Sequence, residues 1–90
     1  MIYKLIFAKN AISQLNKLDK QLRKRIMDKL YFYSKQDNPL SFALKLTASV
    51  SGEYRFRIGE YRAIFDIDKQ GNISVLFILA IKHRKDIYRK

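Results

Sequence analysis

Residues Glu53 to Ile67 read Glu-Tyr-Arg-Phe-Arg-Ile-Gly-Glu-Tyr-Arg-Ala-Ile-Phe-Asp-Ile, and this stretch decides the fold. Glu53 to Ile58 alternates: Tyr54, Phe56 and Ile58 share one face of a strand, and Glu53, Arg55 and Arg57 share the other. Gly59-Glu60 is a two-residue turn with glycine first, the order a type II′ hairpin requires. Tyr61, Ala63, Phe65 and Ile67 then continue the apolar face, while Arg62, Ile64 and Asp66 turn away from it. The result is a hairpin with one side built for a core and one side rich in arginine.

Toward the C-terminus, Asp68-Lys-Gln-Gly-Asn72 predicts a second hairpin turn, and Ile73 to Ile81 is apolar on both faces, the pattern of a central strand. The basic tail from Lys82 to Lys90 predicts a short terminal helix. Toward the N-terminus, Tyr3 to Phe7 predicts an opening strand, rich in aromatic and β-branched residues. Ala11, Ile12, Leu15 and Leu18 are spaced three or four apart and mark one face of a helix. Asp19 is placed to cap a second helix, whose apolar stripe is Leu22, Ile26 and Leu30, widened by Met27 and Tyr33. Its opposite face carries Lys20, Arg23, Lys24, Asp28 and Lys35. Between these halves, Gln36-Asp-Asn-Pro39 is the clearest break. The segment from Asp37 to Ser51 gives mixed signals, with room for a helical turn in Ser41 to Leu46 and a turn at Ser51-Gly52. The predicted order is β-α-α-β-β-β: an α+β fold in which a curved, mostly antiparallel sheet carries a helical hairpin on one face and leaves the other partly open.

Ninety residues make one domain with one modest core, and 48% apolar content is enough to build it. With no cysteine, neither a disulfide nor a thiolate zinc site holds the chain together. Nineteen Lys and Arg against eight Asp and Glu give a net charge of +11, which favours phosphate-rich partners or acidic proteins. The N-terminus lacks a signal-peptide pattern, and the longest apolar run, Val75 to Ile81, is too short to span a bilayer. A cytoplasmic protein is expected.

Strand alternation gathers Arg55, Arg57 and Arg62 on the open face, where three like charges contribute little to folding and suit an anion. Solvated strand arginines paired with Glu53, Glu60 and Asp66 would share the same spacing. The tail adds Lys82, His83, Arg84, Lys85, Tyr88 and Arg89. His83, the one histidine, reads either as structural or as a proton-transfer group beside the basic cluster. Tyr88 reads either as an anchor for the tail or as a ring that stacks on a base or moves a proton. The chain has no glycine-rich phosphate loop, no nucleophile elbow, no metal-ligand spacing and no paired carboxylates, so no metal or cofactor is expected.

Three blocks then carry a resemblance: Tyr54-Arg-Phe-Arg-Ile-Gly-Glu-Tyr-Arg-Ala-Ile-Phe65, the apolar strand Val75 to Ile81, and Lys82-His-Arg-Lys-Asp-Ile-Tyr88. Together they resemble the RelE/ParE toxin family of type II toxin-antitoxin systems, and in particular its RelE-like branch, over nearly the whole chain. The resemblance implies a toxin that cleaves messenger RNA on the ribosome by attack of the ribose 2′-oxygen, and so blocks translation. It implies catalytic roles for Arg62, His83 and Tyr88 and RNA binding by Arg55, Arg57, Lys82, Arg84 and Lys85. It also implies an antitoxin partner with an acidic toxin-binding segment, assembled as a heterotetramer. The alternative within the family is a ParE-like inhibitor of DNA gyrase that cuts no RNA. The basic pair Arg55 and Arg57 favours the nuclease, whereas the other two blocks occur in both branches.

Overall fold

Alternation in the arginine-bearing stretch becomes two paired strands. The structure, a computed structural model, describes residues 3–45, 54–70 and 73–88. Its elements are β1 (Lys4–Phe7), α1 (Lys9–Asn16), α2 (Lys20–Ser34), a 3₁₀ turn (Pro39–Phe42), β2 (Ala43–Lys45), β3 (Tyr54–Ile58), β4 (Tyr61–Gln70), β5 (Ile73–His83) and α3 (Arg84–Tyr88). The five strands form one sheet in the order β1-β5-β4-β3-β2, with β1 parallel to β5 and every other pair antiparallel. Gly59 turns the β3–β4 hairpin with φ +58°, and Glu60 has no positive φ, as the type II′ turn requires.

The core lies between the sheet and the two helices. Phe56 and Phe65 are fully buried and stack at 4.0 Å between ring centroids, and Tyr33 of α2 stacks on Phe56 at 4.3 Å. Leu76 and Ile78 of β5 meet the same core, as do Ile26 and Leu30 of α2. Asp19 caps α2 as its position predicts, its Oδ1 accepting the N–H of Leu22 at 2.9 Å. Burial pushes the Tyr33 phenol above its ordinary value of 10.0. The folded chain therefore keeps this proton to higher pH than the unfolded chain does. The resulting stability is intact below about pH 10 and is lost as pH climbs through the folded value. Alkaline melts should show this loss in the wild type and a smaller one in Tyr33→Phe.

Four sequence expectations change. A fifth strand, β2, follows the 3₁₀ turn in the stretch Ser41 to Leu46, where the sequence leaves room for a helical turn; it is a three-residue edge strand whose Leu44 is half exposed, too short to show alternation. Asp68, Lys69 and Gln70 belong to β4 rather than to a turn. Lys82 and His83 belong to β5 rather than to the tail helix, because β4 pairs with β5 as far as Tyr61 opposite His83. Ile12 is exposed: Ala11 and Leu15 take the inner face of α1, and Ile12 borders an outer groove with Phe7 and Met27. The expected turn at Ser51-Gly52, the strand position of Glu53, and Arg89 lie outside the described residues.

Candidate functional site

The register across β3, β4 and β5 sets Arg57 opposite Arg62, and Arg62 opposite Lys82. Three basic residues thus form one row across three strands, on the sheet face away from the helices. Arg55 stands on the same face two positions along, opposite Ile64. Among the described residues neither Arg57 nor Lys82 makes an ion pair. Of the acids expected to offset them, Glu60 instead pairs with Arg84 at 2.8 Å, and the carboxylate of Asp66 accepts the N–H of Ile67.

Arg62 corrects one expectation. It lies on the open face but is not exposed there: it is 5% exposed, and its Nη1 donates to the carbonyls of Gly59 and Tyr61, each at 2.9 Å. The two ends of the row, exposed Arg57 and half-buried Lys82, therefore flank a fixed cation that clamps the hairpin turn. Arg62→Ala should cost about 1–3 kcal/mol, the value of charged hydrogen bonds removed from a buried group. An unchanged denaturation midpoint would show that the clamp contributes nothing.

His83 corrects a second. Its partner in the register is Tyr61, and the two rings meet edge to face at 5.2 Å. This pair is on the helix side of the sheet, so alternation separates His83 from the row of Arg57, Arg62 and Lys82. The Nδ1 of His83 accepts the N–H of Lys85 at 3.2 Å. Arg84 is engaged at the hairpin turn, its N–H donating to the Glu60 carbonyl and its Nε meeting the Glu60 carboxylate, both at 2.8 Å. Lys85 is exposed on α3, and Tyr88 ends that helix, its side chain lying outside what the structure describes. Sequence reasoning missed Gln14, Lys17 and Asp86, which gather near His83. Gln14 lies between Ala11 and Leu15 on α1, and a polar residue at that spacing was the available signal.

The family model described as "ParE toxin of type II toxin-antitoxin system, parDE" matches residues 5–88 of the chain. Among solved structures, the toxin-antitoxin complex RelBE2 from Mycobacterium tuberculosis contains a chain similar to this one at 26% identity, with TM-score 0.79, over 93% of this chain and 94% of that one. A chain of the archaeal RelE-RelB complex from Pyrococcus horikoshii is similar at 26% identity and TM-score 0.71, over 93% of this chain and 97% of that one. The YoeB/ParE toxin from Agrobacterium tumefaciens shares the fold at 16% identity and TM-score 0.69, over 89% and 97% of the two chains. No curated protein matches the chain.

Proposed function

From a chain that belongs to the RelE/ParE toxin family of type II toxin-antitoxin systems, we propose an RNA endonuclease of the RelE-like branch that cuts messenger RNA on the ribosome without a metal. The observation that carries this reading is the row of Arg57, Arg62 and Lys82, with Arg55 beside it. Arg57 is exposed and Lys82 half-buried, and cations held at fixed spacing on a rigid sheet suit successive phosphates of a single strand.

In the proposed reaction the ribose 2′-oxygen bonds to phosphorus as the bond to the 5′-oxygen breaks. The 2′-hydroxyl gives up a proton, the leaving 5′-oxygen gains one, and the products are a 2′,3′-cyclic phosphate and a 5′-hydroxyl. Arg57 and Lys82 hold the oxygens on which charge develops, and Arg55 holds the neighbouring phosphate. Arg62 acts as a positioning residue that fixes the hairpin between them. We assign proton transfer to Tyr88, because its helix α3 is tied through Arg84 to the turn that carries the row. The ribosome would deliver the strand already bent for in-line attack.

Glu60→Ala should cost under about 1 kcal/mol, since the Arg84 ion pair is exposed. It should nevertheless slow cutting about three- to tenfold by loosening α3. Equal rates for wild type and variant would detach Tyr88 from the site.

The neighbours from M. tuberculosis and P. horikoshii are toxin-antitoxin complexes. This and the +11 charge support an antitoxin partner whose acidic segment covers the arginine face, in a heterotetramer. The test of function is induced expression without antitoxin, with mapping of new 5′ ends on cellular RNA. New 5′-hydroxyl ends within translated frames are expected. Growth arrest with intact message and trapped DNA breaks would replace the nuclease with a gyrase inhibitor.

A further inference from the structure

β5 outruns its neighbour at one end. β1 stops at Phe7 opposite Ile78, whereas β5 continues to His83. From Ala80 onward, β4 still pairs one edge of β5 through His83. The other edge is met by α1, where the Oε1 of Gln14 accepts the N–H of Ile81 at 2.6 Å. Around this edge the arginine face and the helix face of the sheet come together.

A cavity of about 410 Å³ opens there. Leu18 and Ile81 give it an apolar lining, and Tyr61 and His83 line it from the sheet. Its polar groups have both signs: Lys17 from the end of α1 and Asp86 from α3. Because the Nδ1 of His83 accepts the Lys85 N–H, the neutral ring carries its hydrogen on Nε2 and is a donor there. Lys82 belongs both to the basic row and to the cavity.

A phosphate fits this chemistry poorly, because the Asp86 carboxylate would repel it. A nucleobase fits it well: its faces are apolar, and its edge presents donors and acceptors together. We infer that the cavity receives one unstacked nucleobase next to the scissile phosphate, with a base carbonyl toward Lys17 and a base N–H toward Asp86. The inference rests on the RNA-cutting reading and adds to it a specificity site on the opposite side of the sheet edge.

The test compares wild type, Lys17→Ala and Asp86→Ala on short RNAs that differ only at the nucleotides flanking a mapped cut. Lys17 and Asp86 are exposed, so both variants should fold. The wild type should prefer one base at one flanking position. Both variants should cut the preferred RNA about tenfold more slowly, down to the rate of the others. A pure charge effect would act with opposite signs, Lys17→Ala slowing every RNA and Asp86→Ala speeding every RNA, and either that pattern or an unchanged preference overturns the inference. If the wild type cuts no RNA, the nuclease reading fails. The cavity is then tested by binding of the same RNAs, and equal binding preference in all three proteins overturns it separately.

Discussion

Replacing Arg57 and Lys82 together by alanine is expected to slow RNA cutting by about two to three orders of magnitude. Both side chains belong to the row fixed by the β3–β4–β5 register, and neither makes an ion pair among the described residues. Their removal should leave the fold nearly as stable, within about 0.5 kcal/mol per surface site. The salt dependence of RNA binding should also weaken, by about 0.7 in slope for each phosphate that is no longer neutralised. Arg57→Lys should fall between wild type and Arg57→Ala, since it keeps the charge and gives up the planar fork. Rates and salt slopes measured on the same RNA, with a denaturant melt for stability, check these four statements. Full activity in the double variant would remove the row from the mechanism.

Phe56→Ala should have the largest effect on the fold. Phe56 has no exposed surface and lies between the rings of Tyr33 and Phe65, so truncation leaves a cavity where helix and sheet meet. The expected cost is about 3–5 kcal/mol. Domains of this size have only about 5–13 kcal/mol to lose. The thermal midpoint should fall by roughly 15 °C or more. Denaturant melts should show the same loss with an unchanged slope. A shift of only a few degrees would show that the aromatic stack is not what joins α2 to the sheet.

Much of this arrangement was legible in the sequence because it follows from period. Tyr54, Phe56 and Ile58, continued by Tyr61, Ala63 and Phe65, fixed both the hairpin and its core side. Ile26 and Leu30 did the same for α2, and Asp19 its start. Alternation also set Arg55, Arg57 and Arg62 on one face. It could not say where the Arg62 side chain would go, since a long guanidinium can reach back to carbonyls of its own turn. The end of β5 was hidden because Lys82 and His83 look like tail composition, while cross-strand pairing with Arg62 and Tyr61 makes them strand. That one difference of element places His83 on the opposite face from the row. The hydrogen bond between Gln14 and Ile81 spans most of the chain, and no local pattern reveals a pairing of that kind.

The proposed reaction requires the ribose 2′-oxygen as nucleophile. The most direct measurement uses purified protein, ribosomes and a message carrying a single 2′-deoxynucleotide on the 5′ side of a mapped cut. By the proposed mechanism this message stays intact at that position, while the all-ribose message yields a 2′,3′-cyclic phosphate and a 5′-hydroxyl. Equal cutting of both messages at that position would contradict it.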